Sequence, residues 1–150
     1  MQGTLTRRRF GQALLALATL ASLPLKVFAR DEAAFKATET DAAIKSLFGD
    51  KKMIASDAFE FKVPDIAEDG SIVPVTVSTD MEGVKSIALF VDENPNPLSA
   101  KFNFMPGAVP EFKTRIKMGE SSDVRAVVET DDALYVSTKN VKVTLGGCGG

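Results

Sequence analysis

From residue 31 onward the hydrophobic positions follow two rhythms in turn. Ala34, Phe35, Thr38, Ala42, Ala43, Leu47 and Phe48 recur at helical spacing, with Asp31 placed as an N-cap and Gly49 as a stop, and predict a single helix over 31–49. Beyond Phe59 the period shortens to two or condenses into short apolar runs, the patterns of half-buried and fully buried strands. Strands are predicted at 59–63, 72–79, 84–91, 100–105, 111–118, 124–129 and 134–145, the last with a possible break at Lys139-Asn140. The breakers between them, 64–70, 80–83, 92–97, 106–110, 119–122 and Asp131-Asp132, are short and rich in Gly, Pro, Asn, Asp or Ser. Phe102 and Phe104 alternate with Lys101 and Asn103, and Ile116 lies between Arg115 and Lys117, so one face of each strand is core. Pro74 has no N–H to give a ladder and predicts an edge or a bulge.

About seven strands at roughly ten-residue spacing, with no helices between them, predict a mainly β fold. The architecture expected is an immunoglobulin-like antiparallel β-sandwich with one N-terminal helix and a flexible C-terminal arm. Parallel βαβ units are excluded because the crossovers are missing.

Upstream of the helix the pattern changes character. Residues 1–29 contain no Asp or Glu and fall into three zones: Thr6-Arg7-Arg8-Arg9-Phe10, an apolar run from Phe10 to about Leu25, and Val27-Phe28-Ala29. This is the layout of a signal peptide, and its basic zone resembles the twin-arginine export motif. A membrane-spanning helix needs roughly 20 apolar residues; this run is shorter and closes at Pro24 and Lys26. The expected organisation is a signal at 1–29, a helical segment at 30–49, a β-sandwich at 50–145 and an arm at 146–150. Periplasmic localisation, with no membrane association after processing, follows.

Composition then removes whole classes of chemistry. The chain has 150 residues, no His, no Trp and one Cys. Without His there is no Ser-His-Asp or Cys-His pair within the chain and no His-ligated metal; with one Cys there is no internal disulfide. Loss of 1–29 would remove Arg7, Arg8, Arg9 and Lys26 but no carboxylate, taking the balance from 18 basic against 20 acidic to 14 against 20, a net −6. Such a protein is a poor ligand for nucleic acid. Neither a catalytic cluster nor a metal site is expected. Glu68-Asp69, Asp92-Glu93 and Asp131-Asp132 fall in predicted turns, where carboxylates serve local backbone groups.

The remaining chemistry sits in the last five residues, Gly146-Gly147-Cys148-Gly149-Gly150. Four glycines around the only thiol cannot pack a core and are costly to order, so the run is expected to leave the last strand as a flexible arm. At ~3.5 Å per residue, Cys148 reaches roughly 10 Å beyond Leu145. Its glycine neighbours add almost no cross-section, which suits entry into a deep, narrow cleft. An idle, frayed tail is the plain alternative. Against it, an exposed lone thiol in an oxidising compartment invites disulfides and oxidation.

The run from Val141 through Lys142-Val143-Thr144-Leu145 to Gly146-Gly147-Cys148-Gly149-Gly150 resembles the C-terminus of the SoxY family, sulfur carriers of the Sox thiosulfate-oxidation system. Pro64-Asp65-Ile66-Ala67-Glu68-Asp69-Gly70 with Val73-Pro74-Val75, and Glu93-Asn94-Pro95-Asn96-Pro97, are similar to that family's first loop, next strand and central turn. The resemblance implies a periplasmic, non-enzymatic carrier with no resident cofactor, its intermediates held covalently on Cys148. It implies a heterodimer with SoxZ, a second small β-sandwich protein. It also implies visits to a haem-containing thiosulfate-coupling enzyme, a sulfate-releasing hydrolase and, in complete systems, a sulfane dehydrogenase. Two rivals remain open: a ubiquitin-like carrier activating Gly150 as a thiocarboxylate, and an immunoglobulin-like adaptor with an idle tail.

Overall fold

The structure, a computed structural model, describes residues 31–145. Two short helices, α1 (Glu32–Lys36) and α2 (Thr40–Phe48), precede nine strands: β1 (Met53–Ala55), β2 (Glu60–Lys62), β3 (Ile66–Asp69), β4 (Val73–Ser78), β5 (Ser86–Val91), β6 (Leu98–Asn103), β7 (Glu111–Ile116), β8 (Ser122–Glu129) and β9 (Leu134–Leu145). A 3-10 turn, Gly70–Ile72, joins β3 to β4. The larger sheet runs β1-β9-β8-β5-β6, with β3 also paired to β9; the smaller runs β2-β4-β7.

The sandwich closes around one core. Val73, Val75 and Val77 of the small sheet meet Ile87, Leu89, Val91, Val124, Ala126, Val128 and Val141 of the large one, all at most 1% exposed. The opposite face of the large sheet carries Ala88, Phe90, Leu98, Val127 and Leu134, which bury Ala34, Ala43, Ile44 and Phe48 of the helices. The helices are therefore a third layer. Covered on both faces, β5 is buried at every position, which is why its sequence is a continuous apolar run, Ile87 to Val91. At the flank, the rings of Phe102 (β6) and Phe112 (β7) stack with centroids 4.0 Å apart and join the edges of the two sheets.

Several expectations change in detail. The helix over 31–49 is two helices. Asp31 caps the first, accepting from the Ala34 N–H at 3.1 Å, but Ala37 is extended at ψ 141°. The break has a tertiary cause: the Ala37 carbonyl accepts from Asn96 Nδ2 and the Thr40 hydroxyl donates to Asp92, contacts that a continuous helix would not present. Thr38 and Ala42 face solvent, while Ile44 is buried. Gly49 ends α2 at φ 68°, as its position suggested.

Strands β1 and β3 were not expected. Each pairs in parallel with β9, Met53–Ala55 against Leu134–Val136 and Ile66–Asp69 against Lys142–Leu145, so the sheets are antiparallel except along this one flank. Glu68-Asp69 thus ends a strand rather than sitting in a turn. β9 is unbroken, with Lys139 and Asn140 in register with Val124 and Asp123. Pro74 lies in the middle strand of the small sheet, but β2 stops at Lys62, opposite Thr76, leaving Pro74 flanked only by Arg115 of β7. Its missing N–H breaks no ladder there.

Candidate functional site

The far half of β9 leads to the residues in which the sequence places the candidate chemistry. Val141 is the last residue paired with β8, opposite Ser122. From Lys142 onward β3 takes one flank, with Ile66 opposite Lys142, Ala67 opposite Val143 and Asp69 opposite Leu145. The other flank is held by one side chain: Ser121 Oγ accepts the Val143 N–H at 2.9 Å and lies 3.4 Å from the Val143 carbonyl, to which its hydroxyl donates. Thr144 Oγ1 donates to the Glu68 carbonyl at 3.1 Å, and the Lys142 N–H to the Asp65 carbonyl at 2.9 Å. The backbone is fastened on both sides to within two residues of Leu145, whose side chain is 70% exposed. This is an anchored root at the rim of the sheet.

The loop carrying Ser121 is itself held by the Asn/Pro-rich turn after β5. Asn94 Nδ2 donates to the Lys117 carbonyl at 2.8 Å, and Asn94 Oδ1 accepts the Gly119 N–H at 3.1 Å. The Glu93 N–H donates to Ser122 Oγ at 3.0 Å. At the start of the same turn, Asp92 Oδ2 takes Arg125 through Nε at 2.9 Å and Nη2 at 2.6 Å, while its Oδ1 accepts the Thr40 hydroxyl at 2.9 Å. One turn thus fastens α2, β8 and the β7–β8 loop together. The depression beside it, about 360 Å³, is floored by Asp92 and Arg125, which are already satisfied by each other.

Three further carboxylates have structural partners. Asp69 accepts the Ser71 N–H at 2.8 Å, and the Ser71 hydrogen bonds hold its carboxyl below the usual range. Asp131 is lowered by Lys85 at 2.6 Å, and Lys85 is raised in return. Burial alone would raise Glu129, but hydrogen bonds from Lys51 Nζ at 2.8 Å and Ser86 Oγ at 2.6 Å hold it below its usual range. Among the described residues no group of three Asp, Glu, His or Cys side chains converges on a metal position.

Cys148, Gly146, Gly147, Gly149 and Gly150 lie outside the described residues, as does the expected signal at 1–29. What the structure adds is the root from which they continue. Sequence reasoning missed Ser121, Thr144 and the double role of Asn94. The Asn/Pro run marks a turn, but partners separated by 25 or 76 positions leave no local signal.

Residues 44–148 match a protein-family model described as "Sulfur oxidation protein SoxY". Among solved structures, the sulfur carrier protein SoxY from Chlorobium limicola f. thiosulfatophilum is 37% identical, with a TM-score of 0.64, over 70% of this chain and 96% of that one. The reeler domain of human F-spondin is 10% identical, with a TM-score of 0.43, over 61% of this chain and 95% of that one. No curated protein sequence matches the chain.

Proposed function

This chain belongs to the SoxY family of sulfur-oxidation proteins, and from that premise we propose that Cys148 is the atom on which the thiosulfate-oxidation intermediates travel. Members of this family are carriers rather than enzymes, and the chain turns over no substrate of its own. The observation that carries the reading is the extent of the family match, which runs through the sandwich and takes in Cys148. The anchored root of β9 supports it, because a fixed origin at Leu145 confines the thiol to a sphere of roughly 10 Å.

The chemistry balances on one thiol. In loading, Cys148–SH and thiosulfate lose two electrons to the haem-containing coupling enzyme and release one proton, and a new S–S bond leaves Cys148–S–S–SO₃⁻. In release, water cleaves the terminal S–S bond through the hydrolase, giving Cys148–S–SH and hydrogen sulfate. A sulfane dehydrogenase, where the system includes one, oxidises the sulfur that remains. The chain supplies a nucleophile, Gly146, Gly147, Gly149 and Gly150 as a slim sleeve around it, and a platform for SoxZ. The enzymes supply activation. Periplasmic location is general in the family; here the reading adds export by the twin-arginine route and removal of 1–29.

The deciding experiment is Cys148→Ser assayed with the purified Sox components. Serine keeps the shape but cannot form the S–S bond. Loading, read by mass spectrometry, and thiosulfate-dependent electron release should both vanish, while the melting temperature and SoxZ binding are unchanged. Wild-type turnover by Cys148→Ser would overturn the reading; turnover lost only when Gly150 is extended would point to a thiocarboxylate carrier.

A further inference from the structure

The outer face of the small sheet has an order that its own fold does not explain. Its outward side chains form rows across the strands: Glu60, Ser78 and Glu111; then Lys62, Thr76 and Lys113; then Pro74 and Arg115. Lys117 continues the same side of the chain beyond β7. One end is therefore acidic and the other basic. Lys62 and Lys113 flank Thr76 two strand spacings, about 10 Å, apart, and Lys113 lies about 7 Å along the strand from Arg115.

Lys62 is paired with Glu60 at 2.5 Å, but among the described residues Lys113, Arg115 and Lys117 have no ion pair, and all three are exposed. Lys113 still acts on the Glu60 carboxylate along the face, while Arg115 and Lys117 carry the basic end further from the acidic row. The basic end is also the end nearest the root of the arm. The Met118 N–H donates to the Gly70 carbonyl at 2.7 Å, and Gly70 follows Asp69, the register partner of Leu145.

We propose that Lys113, Arg115 and Lys117 form a docking surface for an acidic protein surface, namely the carboxylate-rich rim of the cleft that the arm enters on the enzyme loading Cys148. The proposal rests on the carrier reading above. A thiol confined within roughly 10 Å of Leu145 can use only a cleft whose mouth lies against this end of the domain. Complementary charge beside the root brings that mouth into register without tight binding, which a carrier serving several enzymes must avoid. Rim charges of this kind act on the association rate and its salt dependence.

The test uses the SoxZ-bound protein with Lys113→Glu and Arg115→Glu combined, and Lys113→Gln with Arg115→Gln as the milder pair. Both residues are exposed, so melting temperatures should match wild type. At low ionic strength the second-order rate constant for enzymatic loading should fall about 10-fold in the reversed pair and less in the neutral pair. Added salt should slow wild type and leave the reversed pair flat or faster. Labelling of Cys148 by a small neutral thiol reagent should be equal in all forms. Unchanged low-salt loading would overturn the proposal, as would loss of SoxZ binding, which would assign the face to that subunit. The two readings fail separately: loading retained by Cys148→Ser sinks the carrier, while loading lost in Cys148→Ser but normal in the reversed pair sinks only the docking surface.

Discussion

The two halves of β9 are one continuous strand under two regimes. From Leu134 to Val141 it pairs with β8 along its whole length on one flank and with β1 over Leu134–Val136 on the other; Leu134 and Val141 are fully buried. From Lys142 to Leu145 it has the β3 ladder, two hydroxyl contacts and a side chain at its end that is 70% exposed. The first half is where the domain draws stability. The second fixes where the following residues begin and adds only the half-buried Val143 to the core.

The sharpest way to break the comparison is to make the same substitution at both ends of the strand. Leu134→Ala removes a fully buried side chain from the helix-facing core and should cost about 3 kcal/mol in a denaturant titration. Leu145→Ala should stay within roughly 0.5 kcal/mol. Equal losses would mean the root is as deeply committed to the fold as the centre.

Next in size is Glu129, opposite Leu134 in the β8–β9 register. Its carboxyl is 15% exposed and bonded by Lys51 and Ser86. Glu129→Gln should cost about 2 kcal/mol near neutral pH. Because its folded pKa lies below the ordinary glutamate value of 4.5, the stabilisation is fully present above that value and is lost as pH falls through the folded value. Wild type and variant should therefore converge in acid unfolding curves. A constant gap down to pH 2 would show that packing rather than charge is responsible.

Ser121→Ala should have a small global effect, about 1 kcal/mol or less. Its signature is local: faster amide hydrogen exchange at Val143, with protection at Val136 and Val141 unchanged. Exchange accelerating along all of β9 would mean that the two halves open as one unit.

How much of this was legible follows from how local each signal is. The alternation along β4 and β7 and the apolar run of β5 announce their burial directly, and the sandwich could be read from them. β1 and β3 could not. Met53–Ala55 is too short to show a period, and Ile66–Asp69 ends in two carboxylates; both are strands only because β9, about 75 to 80 positions away, offers an unpaired flank. The helix break at Ala37 likewise depends on Asn96 and Asp92. At the site the asymmetry is sharper. Cys148 stands out in the sequence because it is unique and set among glycines. Ser121 and Thr144, which fix the strand leading to it, resemble any other surface hydroxyl until the fold brings them to Val143 and Glu68.

The position of β9 within the large sheet also sets an order of events during synthesis. Among the described strands it is made last, yet it lies between β8 and the pair β1 and β3 rather than at an edge. Until residue 145 has been made, β1 and β3 have no sheet to join, and one long flank of β8 stays open. The domain cannot build up strand by strand from its N-terminus; the sheet is completed from within, after its periphery has been translated. A nascent chain stalled before β9 would expose Val124, Ala126 and Val128 beside an unpaired edge, the state in which this protein should depend most on chaperones.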